Sequence, residues 1–337
     1  MSNHPRFLVV IGASAGGLNA LTELVRTLPV ELDAAYCIVL HLSRKGIGDF
    51  VVHRLGKVTT MQCSMAVSGT AIQAANVYIA RPNQHLLVKE GKLLLGSGPQ
   101  ENRFRPSIDV LFRSAAVNYT SHAVGIILSG MLDDGTSGMW AIKRSGGVCI
   151  VQDPNQAEYP DMPLSVINNM DVDHVCELGS IGTFLTQIAD LERTSQISAP
   201  EDVVLESQSA EKTAVGIDVV EEIADKSVFA CPDCGGNLWS IKGDIINRYR
   251  CHIGHSYTEG DLVVKQAETA SATLWVALRM MEERKHLLRK LEVDFAQKGY
   301  TSLSLDHLER KDEMQRHIDT LKVILSDLQR NDEALAF

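Results

Sequence analysis

The chain has 337 residues, 45% of them hydrophobic, which is enough for two domains and at least one full core. Its net charge of -10 excludes tight nonspecific binding to nucleic acid, which needs concentrated lysine and arginine, so no nucleic-acid partner is expected. The longest apolar runs, such as Phe7 to Ile11 and Val124 to Leu128, fall far short of the roughly 20 residues of a spanning helix, and the polar start Met1 to Arg6 carries no signal-peptide core; a cytoplasmic protein without membrane insertion is expected.

From Arg6 to about Arg193 short β-branched runs alternate with amphipathic segments, the pattern of an α/β fold with a parallel sheet flanked by helices. Strands are predicted at Phe7 to Ile11, Cys37 to Leu40, Val77 to Ala80, Val124 to Leu128, Val148 to Val151 and His174 to Leu178. Helical spacing of apolar residues marks Leu18 to Leu28, Ile108 to Asn118, Gly138 to Arg144 and Ile181 to Leu191. Between them, Leu86 to Leu95 with Glu90-Gly91 at its centre predicts an inserted hairpin. Cys37, Cys63, Cys149 and Cys176 stand singly in apolar runs and are expected to be small buried hydrophobes.

Residues 194–227 turn acidic, with only Lys212 and Lys226 against eight acids, and are expected to form a mobile linker. Residues 228–262 make a compact Cys/Gly-rich module. Cys231 and Cys234 in C-P-D-C-G-G, then Cys251 and His255 in C-H-I-G-H, supply four ligands suited to tetrahedral zinc, so a structural Zn²⁺ is predicted there. His252, adjacent to Cys251, is less easily aimed at the same ion. Residues 263–337 are predicted to be a helical hairpin, because Leu274, Leu278, Met281, Leu288 and Leu291 run near heptad spacing and, after a break around Gly299, Met314, Ile318, Leu321, Leu325 and Leu328 follow it. Self-association through these helices is a further expectation.

The first strand runs into Gly12-Ala13-Ser14-Ala15-Gly16-Gly17, a serine in a glycine-rich strand-to-helix turn. Such a turn suits either a dinucleotide pyrophosphate or the oxyanion of acyl transfer. Against the dinucleotide, no tyrosine is followed by lysine four positions on, and the end of the second strand holds His41 where a ribose-binding acid is usual. For acyl transfer, Ser14 lies in a G-x-S-x-G and needs a base. His41 is placed to share its crevice; His85, His53 and His122 are alternatives. Candidate acids converge on Asp133 and Asp134 before a helix, with Asp153 as the alternative. Two adjacent carboxylates are not comfortably both buried and ionised, so one should face His41 and the other cap the helix or stay wet.

Taken together, Ile11 to Gly17, Leu40-His41-Leu42, Arg105 to Phe112, Leu128 to Met139 and Gln152-Asp153 resemble, in order, the catalytic domain of the CheB chemotaxis protein-glutamate methylesterases over residues 5–193. The resemblance implies a catalytic domain at 1–193 with Ser14 as nucleophile, His41 as base and Asp134 as orienting acid, Asp133 being a bystander. It also places Ala15, Gly16 and Met131 in the oxyanion vicinity. The implied reaction, without a catalytic cofactor, hydrolyses glutamate methyl esters on methylated chemoreceptors; family members also deamidate receptor glutamines. Two departures stand out: no receiver domain precedes Phe7, so control by that route is not expected, and Ala15 replaces the family's usual threonine. A catalytically idle scaffold of the same fold is the alternative. The module and helices at the back resemble, modestly, tails of receiver-less CheB-type proteins.

Overall fold

The computed structural model describes residues 4–41, 48–190, 197–212 and 216–335. Leu42, the helix end expected at Leu191 and the 193/194 boundary lie outside them. Met1–Asp261 forms one compact unit and Leu262–Phe337 a second.

In the first unit, β1 (Phe7–Ala13) is buried at every position, as an apolar run covered on both faces must be. Phe7, Val9 and Ile11 point into one core and Leu8 and Val10 into the other, following the two-residue period of a strand. The chain continues through α1 (Gly17–Thr27), β2 (Ala34–Leu40), α2 (Gly48–Gly56), β3 (Gln62–Met65) and β4 (Asn76–Ile79). The hairpin follows as β5 (His85–Lys89) and β6 (Lys92–Gly96), turned by positive φ at Glu90 and Gly91. Then come α3 (Ile108–Tyr119), β7 (Ala123–Ile127), α4 (Thr136–Arg144), β8 (Val148–Gln152), α5 (Asp161–Asn169), β9 (His174–Cys176) and α6 (Leu178–Asp190).

Seven strands pair in the order β3-β4-β2-β1-β7-β8-β9, every ladder parallel. Residues of α1, α2 and α6 fill the core on one face, and those of the hairpin, α3, α4 and α5 the core on the other. Strand order reverses between β1 and β7, so a crevice opens outside their carboxyl ends. Six strands were expected and β3 is the seventh; its sequence, Gln62-Cys63-Ser64-Met65, is short, half-buried at the sheet edge and lacks β-branched residues. The nine-residue helix α5 has no counterpart among the predicted elements, and α2 is signalled only through His53, which fits a helix face.

The expected linker is corrected. Within 194–227, residues 194–196 and 213–215 are outside the described residues, but Glu201–Ala210 is a helix, α7, whose Val203 enters the second core. Glu206 lies buried among arginines, with Arg248 donating twice to its carboxylate at 2.8 Å. Glu206, one of the acids that suggest solvation, thus serves as a buried counterion, and Asp202 pairs with Arg144. A further helix, α8 (Ile217–Ile223), packs Val220 and Ile223 on Trp239. A four-stranded antiparallel sheet then follows: β10 (Ala224–Ala230), β11 (Asn237–Ile241), β12 (Arg248–Cys251) and β13 (Ser256–Thr258).

The last two helices are α9 (Glu259–Gln297) and α10 (Thr301–Leu335), divided at Gly299, whose φ of 78° favours glycine. Leu278, Ile318 and Leu325 are buried between them, with Leu274, Met281, Met314 and Leu321 alongside; these are heptad positions of the sequence.

Candidate active site and candidate metal centre

Ser14 follows β1 directly. Its N–H donates to Ser129 O at 3.0 Å, fixing the turn against the loop after β7. Gly130 in that loop passes so close that a Cβ would land on Met162 Sδ and 2.9 Å from Ser14 Cβ. His41 follows β2, its N–H bonded to Ala13 O at 3.1 Å. Its Nδ1 lies 3.3 Å from Ser14 Oγ and its Nε2 3.0 Å from Asp134 Oδ2. Because Asp134 can only accept when ionised, the Nε2 proton faces it and Nδ1 is left as an acceptor for the serine hydroxyl. Phe104 stacks on the imidazole, centroids 3.7 Å apart and planes within 8°.

Asp134 is buried at the start of α3. It accepts from the N–H of Ile108 at 2.7 Å and of Asp109 at 3.3 Å, from Ser107 Oγ at 2.9 Å and from Asn102 Nδ2 at 2.9 Å. Burial raises its pKa, but the bond and charge of His41, the Ile108 N–H and the Asn102 amide outweigh that and hold the carboxyl below its ordinary value. Asp109 returns the favour: its Oδ1 accepts from Gly135 N–H at 3.0 Å and Gly138 N–H at 2.6 Å, capping α4. Burial and then the Asp134 charge push Asp109 up to about 7. Asn102 Nδ2 bridges both carboxylates, 2.7 Å from Asp109 Oδ2. The adjacent Asp133 is half-buried, bonded to Thr258 and raised by burial.

The alternatives are placed elsewhere. His85 is buried and bonds Pro99 O at 2.8 Å while accepting from Ser107 N–H, so it supports the start of α3. His53 is exposed on α2, and His122 tilts against Phe7. Asp153 binds Asn155 in a local turn. Cys37, Cys149 and Cys176 are buried and Cys63 half-buried, none in a disulfide.

A crevice of about 500 Å³ opens on Ser14, Ala15 and His41, with Arg103, Phe104 and Arg105 on its far wall. The sequence alone assigns no role to Asn102, Phe104 or Asp109. Asp109 falls inside a motif already singled out, whereas Asn102 and Phe104 sit in a turn that carries no period or motif.

In the second sheet, two glycine-bearing loops face each other. Gly235 N–H bonds Cys231 O at 2.8 Å and Gly254 N–H bonds Cys251 O at 2.9 Å, with φ of 73° and 115° at the glycines. The ligand atoms of Cys231, Cys234, Cys251 and His255 all lie within 4.8 Å of one another. Cys234 and Cys251 sulfurs are 3.7 Å apart, and His255 Nδ1 is 3.6 Å from Cys251 Sγ and 3.7 Å from Cys231 Sγ. A tetrahedron with metal–sulfur bonds of about 2.3 Å has edges of about 3.8 Å, so the group could hold such an ion with little movement. The Cys251 thiol, then His255 and Tyr257, bond the Cys231 sulfur and, against burial, bring its pKa down to about 3. His252 instead packs edge-on to Trp239, outside the group.

The profile of the CheB methylesterase family matches residues 9–185. A putative protein-glutamate methylesterase/protein-glutamine glutaminase of Leptospira interrogans is 38% identical over 181 residues, 53% of this chain and 93% of its own. The protein-glutamate methylesterase FrzG of Myxococcus xanthus is 34% identical over 56% of each chain. Among solved structures, the CheB methylesterase catalytic domain of Thermotoga maritima superposes with a TM-score of 0.52 at 30% identity, covering 56% of this chain and all of that one. The chain belongs to the CheB methylesterase family.

Proposed function

We propose that this protein is a serine hydrolase that removes methyl groups from glutamate γ-methyl esters of chemoreceptors, with Ser14, His41 and Asp134 as its catalytic triad. The observation that carries this is the unbroken relay from Ser14 Oγ through both nitrogens of His41 to a buried, ionised Asp134. Ser14 Oγ attacks the ester carbonyl while His41 Nδ1 takes its proton. The oxyanion is met by backbone N–H groups of Ala15, Gly16 or Met131, since Ser14's own N–H is committed to Ser129. Collapse returns the proton to the leaving methoxide as methanol; water then frees the γ-carboxylate by the same route. A receptor glutamine would pass through the same acyl-enzyme and release ammonia.

Cys231, Cys234, Cys251 and His255 would hold a zinc ion whose role is structural, because four protein ligands close the coordination sphere. No helix among the described residues is long and apolar enough to cross a membrane; the substrate proposed for the enzyme is the receptors' cytoplasmic helices. Methanol release from methylated receptor tests the function. Wild type should release it and Ser14→Ala should not; equal inertness of the two on receptor and on simple methyl esters would leave only the scaffold reading.

A further inference from the structure

The far wall of the crevice is a turn in which Phe104 N–H bonds Glu101 O at 2.9 Å and Glu101 N–H bonds Phe104 O at 3.2 Å. Its central residues Asn102 and Arg103 both have positive φ, 50° and 66°. Asparagine tolerates that conformation and arginine does not favour it, so the turn needs support from outside itself.

That support comes from the metal-binding module. Asn102 N–H donates to Ser256 O at 2.8 Å and Ser256 N–H to Gln100 O at 3.3 Å, laying β13 beside the turn. The Glu101 carboxylate pairs with Arg250 of β12 at 2.7 Å, both side chains being almost wholly buried. Arg250 and Ser256 face each other across the β12–β13 ladder. Each is also the chain neighbour of a residue in the ligand group, Cys251 and His255. The side of the turn away from the module touches the relay: the Asn102 amide bonds Asp134, and Phe104 covers His41. Asn102 Oδ1 finds no partner among the described residues, so this side chain is held for its donor end.

We propose that Asn102 and Phe104 are positioning residues of the esterase site, and that metal binding at Cys231, Cys234, Cys251 and His255 holds them in register through Arg250 and Ser256. The metal site is then a condition for catalysis rather than an independent appendage. This rests on the esterase reading.

The test compares the full chain zinc-loaded and stripped by a chelator, reading amide exchange and methyl-ester hydrolysis. Stripping is expected to speed exchange at residues 99–104 about tenfold or more while residues 7–13 keep their protection. It should also lower kcat by about tenfold with KM within about twofold, both effects being reversed by added zinc. Asn102→Gly keeps a backbone suited to positive φ and removes only the amide. It should lose about tenfold in kcat at unchanged KM and zinc content, and stripping it should cost a smaller factor than stripping wild type, because the contact being released is already gone. Unchanged exchange at 99–104, or equal factors in the two proteins, would overturn the proposal. So would loss of protection at 7–13 in parallel, which would make the module a stabiliser of the whole fold. Failure of the esterase reading shows separately, as wild type and Ser14→Ala hydrolysing esters equally, with the exchange measurement still readable.

Discussion

Asp134 shows why one of two neighbouring carboxylates serves the histidine. Its oxygens are occupied by His41, Asn102, Ser107 and the first N–H groups of α3, a set that an ionised carboxylate satisfies and a neutral amide cannot. Asp134→Asn is therefore expected to lower kcat by about 10⁴-fold, since an amide opposite Nε2 no longer fixes the tautomer that leaves Nδ1 free. Asp133→Asn, whose side chain meets Thr258 instead, should stay close to wild type in the same assay. The pH sign follows from the depressed pKa of Asp134. The stability it contributes is present above the ordinary aspartate value of 3.8 and is lost as pH falls through its lowered one. Thermal melts from pH 7 down to 3 should show wild type losing more stability than Asp134→Asn over that lower interval.

At the scale of elements, α3 and α4 are capped by each other: Asp134, just before α4, takes the N–H groups that open α3, while Asp109 in α3 takes those that open α4. This exchange locks the loop between β7 and α4 to the rest of the site, and Gly130 brings the same loop against Ser14. Gly130→Ala should cost about 1–3 kcal/mol of stability, as overpacking does, and should reduce kcat more than it changes KM because the new methyl displaces Ser14 Cβ. Denaturant unfolding and steady-state kinetics on one preparation check both parts. The main strands were legible because runs such as Phe7 to Ile11 are buried on both faces and announce it by composition. Ser14 and His41 stand out in the sequence because each directly follows such a run, whereas Asp133 and Asp134 follow one together and only the resemblance chooses between them. What could not be read was the reciprocal capping, which joins residues 25 to 29 apart in sequence, and the turn carrying Asn102, whose positive φ values obey the tertiary contacts around it and no local propensity.

Across the whole first unit, charge is what sequence composition described least well. Glu206 and Glu101, together with Arg113, Arg248 and Arg250, form a buried ionic cluster joining α7, α3 and the strands of the small sheet. Glu206 came from the stretch expected to be a solvated linker, where acid content alone gave no hint of three arginines waiting elsewhere in the chain. Burial works against its charge, yet the three guanidinium groups prevail and hold its carboxyl well below the ordinary 4.5. Removing either sign from such a cluster should cost about 3–5 kcal/mol at pH 7, because the remaining charges stay buried without a partner. The two removals should differ in how they respond to acid. With Arg113→Met, Glu101 and Glu206 lose a counterion, their pKa values rise, and either can take up a proton as pH falls; the deficit against wild type should shrink between pH 7 and 4. With Glu206→Gln the stranded groups are arginines, which cannot shed their charge in this range, so the deficit should persist across it. Unfolding free energies of the three proteins at pH 7, 5.5 and 4 separate these outcomes, and a deficit for Arg113→Met that grew on acidification would show that the cluster is not what binds the small sheet to the catalytic fold.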